Sequence, residues 1–224
     1  MTRQNRRQFL EQSMLATAAV AATSSSTPYI SAEEDEQSDS PSERLGVAVV
    51  GVRGRGGSHI GAFSGRKDTE ILYICDPDRE VGNRRASEVG KRQGGKVPTF
   101  EEDIRKVLED DRVDIVTIAT PNHWHALAAI WAIQAGKDVY VEKPMTLTIE
   151  EGKAMVAAEA RYGTILQVGS QQRSESDFRK AAEIVRNGWI GQVKEVYASL
   201  GGFPPAVSGK EEPIPAGFNY DKWL

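Results

Sequence analysis

The chain has 224 residues, of which 39% are hydrophobic and 27% charged, so it can bury a core and is not intrinsically disordered. Its 28 basic and 32 acidic residues give a formal charge of −4, which argues against binding to nucleic acid through bulk positive charge. The single cysteine, Cys75, excludes an internal disulfide, and no apolar run approaches the ~20 residues that span a bilayer. Small-molecule chemistry is therefore the default expectation, with no membrane anchor.

The first 43 residues have the composition of an export signal and a linker. Residues 1–32 combine a basic segment, a short apolar stretch and small residues, which is the layout of a signal peptide. Arg6-Arg7 followed by Gln-Phe-Leu resembles the twin-arginine signal, so we expect export to the periplasm or beyond; a chance arginine pair is the alternative. Residues 33–43 are rich in acidic residues, Ser and Pro, and are predicted to be a solvated linker.

From Leu45 onwards, short apolar runs alternate with helical patterns. The runs predict strands buried on both faces at residues 45–50, 71–75, 113–118, 138–141 and 165–168. Apolar positions at helical spacing predict helices that end near residue 64 and that cover 78–92, 101–109, 124–135 and 149–161. Strands separated by helices of this length predict an α/β fold, a doubly wound parallel sheet over residues 44–168.

After Gly169 the pattern changes. A helix fits residues 177–186, residues 193–200 alternate like a strand with one wet face, and Gly- and Pro-rich loops follow. These features predict that residues 169–224 begin a second, α+β domain.

The first predicted strand leads directly into Gly51-Val-Arg-Gly-Arg-Gly56-Gly57. A glycine-rich turn between a strand and a helix lets the backbone approach a pyrophosphate and points the amides of the helix at it. In the usual G-x-G-x-x-G spacing, Gly51 and Gly56 take the first and third places, whereas Arg53 stands second and Gly54 comes one residue late. The turn predicts a dinucleotide site with altered geometry, in which Arg53 or Arg55 could contact the phosphates; an ordinary turn is the alternative.

Asp76 ends the second predicted strand, 20 residues after Gly56. An acidic residue at this distance is placed to hold the adenosine ribose of a dinucleotide. A carboxylate also repels a 2′-phosphate, which favours NAD, although Arg79 keeps NADP open. The alternative role for Asp76 is that of a turn residue before Pro77.

Polar residues also follow two later strands. Thr-Pro-Asn-His-Trp-His stands at residues 120–125, and Glu-Lys-Pro stands at residues 142–144. Because ligands bind outside the carboxyl ends of the strands in open α/β sheets, these groups should converge on the crevice beside the glycine-rich turn. His123 and His125 could be a metal pair, but no further histidine follows and no acidic cluster stands beside them, so no metal is expected.

Together these motifs resemble the glucose–fructose oxidoreductase/inositol dehydrogenase/MocA family, over roughly residues 44–224. The glycine-rich turn, Asp76 and residues 120–125 carry the resemblance, and the stretch Asp138–Glu151 carries it most specifically. The resemblance implies an NAD(P)-binding Rossmann domain followed by a substrate-binding domain. In combination with the signal, the chain resembles the secreted branch of that family.

The resemblance also implies roles for single residues. Lys143 would assist proton transfer at the nicotinamide, where a desolvated ammonium is useful, and the bond before Pro144 is often cis in the family. Gln171 and Arg173 would flank the substrate. The residues implied in cofactor binding are Gly51, Arg53, Gly54, Gly56, Asp76, Thr120, Pro121, Asn122, His125 and Glu142.

Three functions stay open at this point. The family implies an oxidoreductase that acts on a sugar, polyol or cyclitol, and an NAD-dependent glycoside hydrolase on the same scaffold is the second. The third is a non-catalytic dinucleotide-binding protein, because the family's general acid/base is typically a histidine of the second domain and none follows His125. Family members usually continue beyond this length, so we expect a fragment or a degenerate member. A complete second domain would also make a homo-oligomer possible.

Overall fold

The computed structural model describes residues 44–199, 201, 209 and 211–224, so the predicted signal and linker lie outside the described residues. The strands β1–β6 are Leu45–Val50, Thr69–Cys75, Thr99–Glu101, Ile115–Ile118, Asp138–Val141 and Leu166–Val168. The helices α1–α7 are Gly54–Ser64, Arg79–Arg92, Ile104–Leu108, Asn122–Gln134, Ile149–Tyr162, Ser176–Arg186 and Tyr220–Trp223, and a 3-10 helix covers Gln171–Ser174. In this part of the chain no helix is long and apolar enough to cross a bilayer.

The six strands form one parallel sheet in the order β3-β2-β1-β4-β5-β6. Strand β1 pairs with β2 on one side, where Leu45 faces Thr69, and with β4 on the other, where Val47 faces Ile115. The direction of winding reverses between β1 and β4, which opens a crevice at their carboxyl ends. This is the doubly wound Rossmann sheet that the sequence predicts.

Helices cover both faces of the sheet, and β1 shows why its sequence is a continuous apolar run. Val47 and Val49 pack into one buried cluster with α1 and α2, whereas Ala48 and Val50 pack into a second cluster with α3, α4 and α5. All four side chains are buried. A strand that is covered on both faces needs apolar residues at every position rather than at alternate ones.

The segment before β4 differs from the helix predicted for residues 101–109. Thr99–Glu101 is an edge strand that pairs with β2, and α3 begins only at Ile104. Asp103 caps this helix, since its carboxylate accepts a hydrogen bond of 3.0 Å from the amide of Arg105. The prediction was wrong for residues 101–103, because a strand of three residues is too short to show a periodic pattern.

The strand predicted at residues 193–200 is also wrong for its described part. Residues 193–199 form no strand, and Val196 and Tyr197 are 81% and 90% exposed. Leu200 lies outside the described residues. A strand needs a neighbouring strand that pairs with its backbone N–H and C=O groups. Strand β6, at the edge of the described sheet, pairs only with β5 among the described strands, so residues 193–199 do not extend this sheet. The helix predicted at 177–186 is confirmed by α6, while the start of a second domain at residue 169 stays a prediction.

Candidate functional site

The glycine-rich turn lies at the carboxyl end of β1. Gly51 has a φ of 77°, and a Cβ at this position would lie 2.7 Å from the backbone of Ala119 and Thr120. A Cβ on Gly56 would lie 1.9 Å from the carbonyl oxygen of Gly51. Helix α1 therefore starts directly against the end of β1, and both positions require glycine.

Gly54 is the first residue of α1 and faces open space. Its φ is 37°, and nothing lies within 4 Å of the position that its Cβ would occupy. No side chain caps α1, and its first turn contains no acidic residue. The amide of Gly56 donates a hydrogen bond of 2.9 Å to the carbonyl oxygen of Arg53, and the other N-terminal amides of this helix are available to an anion, which fits the pyrophosphate of a dinucleotide. Gly54 allows the close approach that the second glycine of the usual spacing provides, one residue later in the chain.

Arg53 is turned towards the loop that follows β2. Its guanidinium forms an ion pair with Asp78, and its side chain is 66% exposed. Burial alone would raise the pKa of Asp78, but hydrogen bonds from the amide of Val81 and from Arg53 lower it. Arg53 lines the cleft from this side, and its contact with a phosphate stays a prediction.

Asp76 is buried at the end of β2 and braces the glycine-rich turn. Its Oδ2 accepts a hydrogen bond of 2.9 Å from the amide of Val52, and its Oδ1 accepts one of 3.0 Å from the amide of Asp78. Burial raises the pKa of this carboxyl, against the effect of the two amides. Each carboxylate oxygen can accept a second hydrogen bond, and Asp76 lines the cleft, so this geometry is compatible with both of its predicted roles.

The polar residues after β4 stand at the centre of the cleft. Thr120, Pro121, Asn122 and His125 all line it. His125 is buried, with Nδ1 2.6 Å from the carbonyl oxygen of Pro144 and Nε2 3.0 Å from that of Thr120. Both ring nitrogens thus face carbonyl oxygens, so the ring links the turn after β4 to the loop after β5 and fixes their relative positions.

A buried network centres on Glu142, the residue before Lys143. Its Oε1 accepts a hydrogen bond of 2.8 Å from Nε of Arg55 and lies 3.2 Å from Nε2 of His59. Burial alone would raise the pKa of Glu142, but the hydrogen bonds from Arg55 and His59 outweigh it and lower the pKa below its ordinary value. The carboxylate is therefore charged at neutral pH and is neutralised mainly by Arg55.

His59 is the member of this network that sequence reasoning missed. Burial lowers the pKa of its ring, and this effect outweighs the opposing hydrogen bond to Glu142. The neutral ring donates from Nε2 to the carboxylate and packs edge-on against Tyr140, with ring centroids 5.3 Å apart. Its spacing of four residues from Arg55 on α1 was the available signal, because such residues share one face of a helix.

Lys143 lies exposed in the part of the cleft beyond this network. The peptide bond between Lys143 and Pro144 is cis, and the Lys143 amide lies 3.3 Å from Oε2 of Glu142. Lys143 lines a cavity of about 370 Å³ together with Asn122, His125 and Gln171. Arg173 is exposed and lines none of the described cavities, so its role beside a substrate stays a prediction.

Two cavities with shared walls make up the cleft. The larger, of about 610 Å³, extends from Asp76 past the glycine-rich turn, and the smaller contains Lys143. They share the walls formed by Gly54, Arg55 and Thr120. Trp124 and Trp131, seven residues apart on α4, also line the larger cavity.

The comparison with known families agrees with this geometry. The model of the GFO_IDH_MocA oxidoreductase family, described as having an NAD-binding Rossmann fold, matches residues 45–170. The chain belongs to this family. The Rossmann fold of this family binds NAD, in agreement with the preference inferred from Asp76, and the family relationship confirms the resemblance carried by Asp138–Glu151.

Relatives extend well beyond the matched region. A Shewanella oneidensis protein named alpha-N-acetylgalactosaminidase is 36% identical over 112 residues, which are 49% of this chain and 24% of that protein. A crystal structure of an NAD-binding protein from Listeria innocua is 31% identical with a TM-score of 0.59, over 67% of this chain and 41% of the other. The WlbA dehydrogenase from Bordetella pertussis, in complex with NADH and UDP-GlcNAcA, is 28% identical with a TM-score of 0.55. The match covers 65% of this chain and 40% of the other. The chain thus spans about a quarter of the curated relatives it matches.

Gly56→Ala should weaken NAD binding about tenfold or more, because its Cβ would displace the carbonyl of Gly51 and move the start of α1. Isothermal titration with NAD measures the change. Gly61→Ala is the matched control in the same helix, since nothing lies within 4 Å of its Cβ position, and it should bind NAD as the unaltered chain does. Equal NAD affinity in the two variants would contradict this account of the turn.

The buried His59 should make the fold less stable in acid. Its folded pKa lies below its unfolded value of about 6.5, so the unfolded chain binds the proton more readily, and the free energy of unfolding falls as the pH drops from there towards the folded pKa. Denaturant unfolding measured between about pH 5 and 8 should show this fall in the free energy of unfolding. The fall should be smaller in His59→Phe, which lacks the buried imidazole. His123→Gln keeps His59 and should retain the loss. An identical pH profile for His59→Phe and the unaltered chain would exclude the effect.

Proposed function

We propose that the protein transfers a hydride between NAD and a carbon of a sugar, polyol or cyclitol, with Lys143 handling the proton. The observation that carries this proposal is the position of Lys143. It stands in the polar end of a cleft whose other end begins at the glycine-rich turn and Asp76. NAD supplies the hydride acceptor when bound, and the protein supplies binding, orientation and proton transfer.

Each residue of the cleft has a separate part in this mechanism. The amides at the start of α1, next to Gly54, would bind the pyrophosphate, and Asp76 would accept hydrogen bonds from the adenosine ribose. Arg55 and His59 hold Glu142 charged and in place beneath the loop that carries Lys143. Lys143, as the neutral amine, would take the proton from the substrate hydroxyl while bound NAD supplies the acceptor for the hydride of that carbon, and the resulting ammonium would return the proton in the reverse direction. Gln171 and Arg173 would contact the substrate.

A second candidate is glycoside hydrolysis in which the sugar is oxidised and then reduced again, so that NAD is not consumed. The similarity to the Shewanella protein named alpha-N-acetylgalactosaminidase favours it. The same cleft and the same lysine would serve both reactions, because both begin with the removal of a hydride from a sugar carbon and of a proton from the hydroxyl on that carbon.

Substrate turnover separates the candidates. The 224-residue chain is incubated with NAD and a panel of sugars, polyols, cyclitols and chromogenic N-acetylgalactosaminides. Net formation of NADH supports the oxidoreductase, whereas release of the chromophore without net NADH supports the hydrolase. NAD binding without turnover of any substrate would contradict both and leave a non-catalytic NAD-binding protein.

Lys143→Ala should lower turnover by at least about 10²-fold, because it removes the proton-transfer group, while the affinity for NAD stays within about threefold. Lys153→Ala is a matched control, since Lys153 lies on the exposed surface of α5 and pairs with Glu150. Turnover in Lys143→Ala comparable to that of the control would remove Lys143 from the mechanism.

We also propose that the protein is exported through its twin-arginine-type signal, and that a complete second domain would make a homo-oligomer possible. Arg6-Arg7 and the short apolar stretch that follows support the export. Replacing both arginines with lysine should retain the protein in the cytoplasm, as cell fractionation would show. Unchanged export of that variant would refute the proposed signal.

A further inference from the structure

The segment Gly217–Leu224 returns from outside the sheet to the carboxyl ends of its strands. The amide of Arg79 donates a hydrogen bond of 3.0 Å to the carbonyl of Gly217, and the amide of Asn219 donates one of 2.8 Å to the carbonyl of Pro77. Phe218 forms an antiparallel bridge with Asp78 between these two bonds. The beginning of the segment is therefore fixed to the loop after β2.

The loop after β3 and the first turn of α4 fix the rest of the segment. Beyond β3, Lys222 forms an ion pair with Asp103, and the side-chain amide of Asn219 donates a hydrogen bond of 3.1 Å to Glu102. Beyond β4, the carbonyl oxygen of Trp223 accepts a hydrogen bond of 3.0 Å from the indole of Trp124. The same oxygen lies 2.7 Å from Nε2 of His123.

These anchors place the segment across the larger cavity. Phe218, Lys222 and Trp223 line that cavity together with residues of the glycine-rich turn. Trp124 and Trp131 form an adjoining wall, with ring centroids 6.1 Å apart and the guanidinium of Arg105 5.7 Å from the centroid of the Trp131 ring. The aromatic rings of this wall are only half-buried, because they face the cavity.

The chemistry of this end of the cleft matches an adenosine. Asp76 offers carboxylate oxygens where the ribose would lie, and the aromatic walls begin next to it. A purine base is flat and stacks on aromatic side chains, and small-molecule pockets combine such apolar walls with a few placed polar groups.

We infer that residues 217–224 form the outer wall of the adenosine pocket, and that the adenine of NAD packs against Trp223 and the tryptophans of α4. This inference rests on the proposed NAD-dependent function. The segment is fixed to the loops that follow β2 and β3 and to the first turn of α4, so it would hold the adenine end of NAD until the segment detaches. The cofactor should therefore exchange slowly, with the segment limiting its release.

The test measures NAD and ADP-ribose binding by titration calorimetry, and NAD release by stopped-flow fluorescence, on the 224-residue chain. Trp223→Ala removes the aromatic wall, and Lys222→Glu places two negative charges together at Asp103. Both variants should bind NAD and ADP-ribose about tenfold more weakly, mainly through faster release. Trp189→Ala is the matched control, because Trp189 is 70% exposed and lines none of the described cavities. It should bind both ligands as the unaltered chain does.

Circular dichroism establishes that each variant is folded, and Lys222→Glu decides the question if Trp223→Ala does not fold. Unchanged binding and release in a folded variant would overturn the inference while leaving the proposed function intact. Lys143→Ala, at the other end of the cleft, should bind ADP-ribose normally. If the unaltered chain binds neither NAD nor ADP-ribose, the proposed function fails and the inference fails with it.

Discussion

The contact between Gly56 and the carbonyl of Gly51 is the constraint on which the rest of the cleft depends. A Cβ on Gly56 would lie 1.9 Å from that oxygen, so only glycine lets α1 begin directly against the end of β1. This position fixes both ends of the cleft. At one end, the amide of Val52 donates a hydrogen bond to Asp76. At the other end, Arg55 in the first turn of α1 donates a hydrogen bond to Glu142.

The two ends of the cleft offer different chemistry. The end near Asp76 is walled by aromatic side chains and suits a base that must be held but does not react. The end near Lys143 is polar and open, with a charged carboxylate fixed beneath it by Arg55 and His59. A dinucleotide whose reacting ring must meet a hydroxylated substrate needs this division, because the substrate has to enter where the chemistry occurs.

The sequence predicts the sheet well because its strands are buried on both faces and read as apolar runs, and because polar residues mark the strand ends. It does not predict β3, whose three residues show no period, or the place of His59, which depends on how α1 packs against β5. The sequence also does not predict that residues 217–224 contact the carboxyl ends of the strands. His123 and Trp223 meet across 100 residues of sequence, and no local pattern encodes such a contact.

A crystal structure of the chain with NAD tests the central claim most directly. We expect continuous density for NAD along the cleft, with the adenosine between Asp76 and the segment 217–224, the pyrophosphate at Gly54 and the nicotinamide beside Lys143. NAD bound with its nicotinamide away from Lys143, or bound outside this cleft, would contradict it.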